Sequence, residues 1–244
     1  MSLPLTEEEN QRYHRQIILP GWGEEGQKKV KEAVVFIAGA GGLGSPVAIY
    51  LAAAGVGKIR ICDHSEPELS NLNRQILHTD SDIGKSKAIS AQETLREINP
   101  HVQVEPLPFF IERGNIDILV GDAQIIIDCM DNFPTRHVLN ECAVRKGIPF
   151  VHGGVIGMCG QITFIHTPQT PCLKCIFPGS PPREVFPIVG ATPGVIGTLQ
   201  AVEALKFITG IGENLKGRLL IWDGERMVFQ EIVINKYPNC PVCG

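Results

Sequence analysis

The chain has 244 residues, enough for one large domain or a domain with an appendage, and its 43% hydrophobic and 20% charged content is that of an ordinary soluble globular protein. A formal net charge of −4 argues against a general nucleic-acid or membrane binder, whose surface would be basic. No apolar run reaches the ~18 residues of a membrane span, and residues 1–10 are polar and acidic rather than signal-like, so a cytoplasmic location is expected.

In chain order, residues 6–19 are predicted as a helix opened by Thr6, with Glu7, Glu8 and Glu9 suited to its positive end. Residues 33–38 form a short apolar run ending in glycines, the pattern of a buried parallel strand. A helix over 45–54 and a strand over 58–63 follow. The next helix, 85–98, is stopped at Asn99-Pro100, because proline disfavours helical geometry in the residue before it. Residues 102–107 and 125–128 are predicted strands, 134–146 a helix ended by Gly147, and a further strand begins at Phe150. This alternation predicts an α/β fold, a doubly wound, mostly parallel Rossmann-like sheet. After residue 153 the strands at 161–165, 218–223 and 227–234 indicate an antiparallel extension, with a proline-rich crossover loop over 176–194. The chain is expected to be one domain, with a nucleotide-binding half (1–153) and a second half (154–244).

Gly39, Gly41, Gly42, Leu43 and Gly44 lie in a loop that follows a strand and opens a helix. Glycines allow a tight turn and close backbone approach to a phosphate, whose charge the helix N-terminus favours. Asp63 stands 19 residues beyond Gly44, where a carboxylate can accept from ribose hydroxyls. An NAD-dependent dehydrogenase would show these same residues. Asn71, Arg74, Gln75 and Lys87, within Ser70–Gln75 and Gly84–Lys87, shift the balance: a reaction on a triphosphate needs cationic donors for the departing pyrophosphate, and hydride transfer does not. Asp131 follows another buried strand and is a candidate Mg²⁺ ligand; by spacing alone, Asp131 or Asn132 could instead cap the following helix.

Cys172/Cys175 and Cys240/Cys243 are two CxxC pairs separated by 64 residues, the spacing of a closed structural Cys₄ zinc site. A pair of redox dithiols is the competing reading, disfavoured because such motifs open a helix and Pro241-Val242 beside the terminus is poor for that. Cys62, Cys129, Cys142 and Cys159 are expected to be small buried hydrophobes.

Taken in order, Arg12–Ile17, Gly39–Ser45, Ser70–Gln75, Gly84–Lys87, Asp128–Asn132, the two CxxC pairs and Gly197–Ala204 resemble the MoeB/ThiF branch of the ubiquitin-activating superfamily over nearly the whole length. That resemblance implies a homodimer that uses ATP and Mg²⁺ to adenylate a ubiquitin-like sulfur carrier (MoaD- or ThiS-like) ending in Gly-Gly, for molybdenum or tungsten cofactor, thiamine or tRNA sulfur transfer. It implies that Asp63 binds ribose, that Asn71, Arg74 and Lys87 contact phosphates, and that Asp131 serves the metal. It also implies that Arg15 reaches into the partner's ATP site and that residues 154–244 bind the carrier. Two positions depart from the family pattern. Ser65 stands where a second acid is frequent, and Arg183 where many members carry a cysteine, with none between Cys175 and Cys240. The expectation is a reaction that stops at the acyl-adenylate, with a sulfurtransferase or cysteine desulfurase supplying sulfur. An NAD-dependent oxidoreductase, a non-catalytic nucleotide-binding scaffold, and an adenylating enzyme for a peptide or tRNA are the alternatives.

Overall fold

The computed structural model describes residues 4–179 and 186–244. Its centre is one eight-stranded sheet: β1 (Val34–Ala38), β2 (Lys58–Cys62), β3 (Gln103–Leu107), β4 (Ile125–Asp128), β5 (Phe150–Ile156), β6 (Cys159–Ile165), β7 (Arg218–Asp223) and β8 (Val228–Val233), in the order β3-β2-β1-β4-β5-β6-β7-β8. The first five strands in that order are parallel and the remaining pairings antiparallel, as the sequence predicts. Strand side chains alternate between faces. Val35, Ile37, Ile59, Ile61, Ile125 and Ile127 enter one core, while Phe36, Ala38, Cys62, Ile126 and Phe150 enter the other.

Helices cover both faces. On the first lie α3 (Gly23–Glu32), α4 (Gly44–Ala54), α5 (Lys87–Ile98) and α9 (Ala191–Thr209), and on the second α6 (Ile116–Val120), α7 (Phe133–Lys146) and α8 (Leu173–Ile176). Helix α4 packs on α9 closely enough that a Cβ at Gly197 would meet the Leu43 carbonyl oxygen and Pro46 Cγ, each at 2.5 Å. Strand order reverses direction at β1: the chain goes outward to β2 and β3, then returns to β4 on the other side. The crevice at the carboxyl ends of β1 and β4 is therefore the topological switch point, where ligands bind in open α/β sheets.

The single helix expected over 6–19 is two, α1 (Glu7–Arg12) and α2 (His14–Ile17). Tyr13 interrupts it because its ring is drawn inward, where its hydroxyl accepts from Asn99 Nδ2 at 2.8 Å. Helix α5 begins at Lys87 rather than 85, and α9 begins at Ala191, inside the predicted crossover loop. Helices α3, α6, α8 and α9 have no counterpart among the predicted elements. Cys62, Cys129 and Cys142 are buried as expected, but Cys159 is exposed, at the tip of the β5–β6 hairpin beside exposed Ile156 and Met158. Arg183 lies outside the described residues. Among the described residues no helix is long and apolar enough to cross a membrane.

Candidate active site and metal centre

The glycine loop runs from the end of β1 to the start of α4. Gly39 adopts φ +101°, a conformation open to glycine, and a Cβ there would stand 2.7 Å from the Cys129 carbonyl oxygen. The ends of β1 and β4 are thereby brought into direct apposition. Gly44 is more constrained still, since its Cβ would fall 2.0 Å from the Gly39 carbonyl oxygen. Ser45 Oγ donates to the Gly41 carbonyl at 2.8 Å and accepts from the Leu77 amide at 3.3 Å, tying the loop to the next segment.

Asp63, just past β2, faces this loop. Its Oδ2 accepts from the Ala40 amide at 2.9 Å, and its Oδ1 from the Ser65 amide at 2.9 Å and the Ser65 hydroxyl at 2.6 Å. Ser65, which departs from the family pattern, is thus a donor to the carboxylate. Arg74 lies beside Gly42, with its guanidinium donating at 2.9 Å to both the Ser70 carbonyl and Asn73 Oδ1. Asn71 Oδ1 accepts from the Glu68 amide at 3.3 Å in a reciprocal cap of a short 3₁₀ turn. Gln75 is buried against Gly41, and its Oε1 has no hydrogen-bond partner among the described residues.

The two lysines of Gly84–Lys87 separate cleanly. Lys85 is taken up by Asp82 at 3.1 Å and Glu93 at 3.2 Å. Lys87 is 8% exposed, and its ammonium has no carboxylate partner among the described residues. A cation on a largely buried side chain, with no carboxylate to neutralise it, is placed to meet an anion. Its amide donates to the Ser65 carbonyl at 2.9 Å, placing it next to the Asp63 segment.

Past β4, Asn132 Oδ1 accepts from the Thr135 amide at 3.0 Å and so caps α7. That leaves Asp131 exposed, its carboxylate accepting, among the described residues, from Asn132 Nδ2 alone at 3.2 Å. Beneath this turn is a buried polar cluster that the motif reading did not single out. Asp128 Oδ2 accepts from His152 Nδ1 at 2.7 Å and lies 3.4 Å from Arg136 Nε, while Oδ1 accepts from the Met130 amide at 3.0 Å. Burial pushes the His152 ring below its usual pKa, outweighing the hydrogen bond to Asp128 that favours the charged form. Gln200 on α9 donates to the carbonyls of Asp128 and Val151, joining α9 to the same strand ends. Asp128 and Gln200 lie within segments that carry the family resemblance, with no role assigned to either, while Arg136 and His152 gave no signal in the sequence.

Arg15 is exposed on α2, with no side-chain partner among the described residues. Its neighbour Gln16 donates to the Ala54 carbonyl, at the far end of α4 from the glycine loop. The 11 residues of α4 span about 16 Å, so the fold does not bring Arg15 to its own chain's glycine loop.

The four CxxC cysteines converge. Cys172 Sγ is 3.6 Å from Cys240 Sγ, Cys175 Sγ is 3.5 Å from Cys243 Sγ, and all four sulfurs lie within 4.8 Å of one another. A disulfide needs ~2.05 Å, whereas thiolates ~2.3 Å from a tetrahedral ion sit about 3.8 Å apart. The donor set and spacing fit a four-coordinate metal ion. The first pair does open a short helix, α8, as a redox motif would, but the second pair faces it rather than standing apart. A surface cleft of ≈ 560 Å³ lies beside this knuckle, between Lys174, Val242, Arg113 and Arg145. No residue of the glycine loop lines it, and its arginines are already paired with Glu141 and Asp117.

Residues 13–242 match the ThiF family. The chain is 42% identical over 250 residues to the sulfur carrier protein adenylyltransferase of Thermus thermophilus, covering 98% of this chain and 92% of that one. It is 41% identical over 250 residues to the SAMP-activating enzyme E1 of Haloferax volcanii, covering 100% and 92%. With the adenylyltransferase and sulfurtransferase MOCS3 of Drosophila sechellia it shares 44% identity over 246 residues, 98% of this chain but 54% of that protein. Crystal structures of E. coli MccB with AMPCPP and MccA, and with ATP, superpose with TM-scores of 0.85 and 0.84 at 25% identity, covering 96% and 98% of this chain and 75% of MccB in each case. A glycine loop, a carboxylate and a lysine with no carboxylate partner among the described residues thus occur in a chain alike to adenylyltransferases from end to end: it belongs to the ThiF family and is an adenylyltransferase.

Proposed function

We propose that the chain uses ATP to adenylate the C-terminal glycine of a ubiquitin-like sulfur-carrier protein, releasing pyrophosphate. The observation that carries this reading is Lys87, a largely buried side chain with no carboxylate partner among the described residues, beside the Asp63 segment and the glycine loop. The names of the Thermus and Haloferax relatives supply the substrate class.

In the reaction proposed, a carboxylate oxygen of the carrier bonds to the α-phosphorus of ATP while the bond from that phosphorus to the oxygen bridging to the β-phosphate breaks. The electron pair and negative charge leave with pyrophosphate, and the acyl-adenylate remains. The substrate is its own nucleophile, so the enzyme's task is in-line positioning and charge stabilisation. Glycine-loop amides and Gln75 hold phosphates, Asp63 accepts from ribose, and Asn71, Arg74 and Lys87 meet the charge that develops on the leaving group. Mg²⁺, when bound, neutralises phosphate charge; Asp131, which no lysine or arginine pairs among the described residues, is the residue to hold it. Arg15 acts in a homodimer, where the partner subunit's Arg15 completes the ATP site. Cys172, Cys175, Cys240 and Cys243 hold a structural zinc that fastens the C-terminus to the start of the crossover. The division into a nucleotide half (1–153) and a carrier half (154–244) follows, with a sulfurtransferase or cysteine desulfurase as the later sulfur source, in the cytoplasm.

The test is to incubate the protein with ATP, Mg²⁺ and a carrier ending in Gly-Gly and to weigh the carrier by mass spectrometry. An adenylate on the intact carrier, and none on a carrier lacking its last glycine, is the expected result. Unmodified carrier in both arms contradicts the proposal.

A further inference from the structure

His78 lies just beyond the Ser70–Gln75 turn and is 4% exposed. Both ring nitrogens are engaged: Nε2 is 2.8 Å from the Ala40 carbonyl oxygen, and Nδ1 is 2.8 Å from the Ser90 hydroxyl. A carbonyl oxygen can only accept, which puts the proton on Nε2 and leaves Nδ1 to accept from Ser90. Ala40 is therefore held through both of its backbone polar groups, its C=O by His78 and its N–H by Asp63 Oδ2, which fixes the two successive peptide units it joins.

These contacts close into a ring. Asp63 Oδ1 accepts from Ser65, the Ser65 carbonyl accepts from the Lys87 amide, and Ser90 stands three residues along α5 from Lys87. From Ser90 the path returns through His78 to Ala40. A glycine loop is the segment of the fold with the greatest freedom to lose on ordering, so fixing it beforehand lowers the cost of binding.

We infer that His78 is a positioning residue for the nucleotide: by closing this ring it holds the glycine-loop amides and the Lys87 helix in register before ATP arrives. The inference rests on the nucleotide-site reading proposed above. Burial keeps the His78 ring neutral, helped by the positive charge of Lys87 and opposed by the Ala40 hydrogen bond and the carboxylates of Asp82 and Asp63. The neutral tautomer is the one that can both donate to Ala40 and accept from Ser90.

Two substitutions separate this role from simple core filling. In His78→Gln the amide nitrogen falls near the position of Nε2 and can still donate to Ala40; in His78→Leu the volume remains and the donor is lost. The first readout needs no nucleotide: amide hydrogen exchange of residues 40–44 in the ligand-free protein. Exchange there is expected to speed up by about tenfold in His78→Leu and by about threefold at most in His78→Gln. The second is equilibrium binding of ATP, with affinity expected to fall by about tenfold in His78→Leu and to be largely recovered in His78→Gln. If His78→Leu does not fold, His78→Asn replaces it, because its shorter amide reaches the Nδ1 position instead; Gln must then outperform Asn in both readouts. Equal exchange and affinity in the paired variants overturns the clamp. Wild-type protein that fails to bind ATP while its exchange pattern responds as expected overturns the nucleotide reading and leaves the clamp standing.

Discussion

Lys85 and Lys87 stand two residues apart in the same short motif, yet one is spent on Asp82 and Glu93 and the other is buried with no partner among the described residues. A cation held dry at the point where charge develops is worth far more than one in water, so Lys87→Ala should lower adenylation by about 10²–10³-fold. Steady-state kinetics and circular dichroism on the same sample check this; near-normal turnover in a folded Lys87→Ala protein removes Lys87 from the site. His152 offers a test through pH. Burial lowers its pKa in the folded state despite the Asp128 bond, while the unfolded ring keeps its ordinary value near 6.5. The unfolded state therefore takes up the proton first, and stability present above about pH 6.5 is lost as pH falls toward the lowered folded value. Urea midpoints should decline over that window and decline less steeply in His152→Gln; parallel slopes would show that the ring is not buried neutral.

At the scale of elements, the close crossing of α4 and α9 carries its own prediction. Gly197 has no room for a side chain against the Leu43 carbonyl and Pro46, so Gly197→Ala should cost roughly 1–3 kcal/mol through overpacking. An unchanged urea midpoint would mean the helices part without penalty. The parallel strands and the helices that link them were legible because short apolar runs end in glycine or aspartate and alternate with helical stretches. Helix α9 was not legible, because it packs against the sheet, α3 and α4 and is apolar on most sides, which leaves no contrast of faces to give it a period. Helix α3 was missed for a different reason: Gly23 and Gly26 and a largely polar sequence hide it, and Val30 and Gln27 are buried only once the rest of the fold is in place. The site divides along the same line. The glycine loop, Asp63 and the paired cysteines declare themselves by local spacing. His78, Ser90, His152 and Gln200 act through partners 12 to 72 residues away, for which sequence spacing carries no signal.

For the molecule as a whole, the four cysteines join two segments more than sixty residues apart, so the metal proposed there acts as a cross-link of the native state. Removing it with a strong chelator should lower the thermal midpoint and free the C-terminal residues to protease, with about one zinc released per chain by metal analysis. Purified protein that carries no metal and melts unchanged with chelator contradicts the assignment. Arg15 poses the other whole-molecule question, since α4 separates it from its own glycine loop. Mixing inactive Arg15→Ala and Lys87→Ala proteins should restore part of the activity if each dimer then holds one site built from intact residues; no recovery on exchange of subunits would put Arg15 outside the ATP site.

Adenylation of a carrier carboxylate is reversible, so a protein that performs it carries labelled pyrophosphate into ATP. Exchange that requires Mg²⁺ and an intact carrier ending in Gly-Gly is the expected result. Protein that binds ATP but supports no exchange with any such carrier would contradict it.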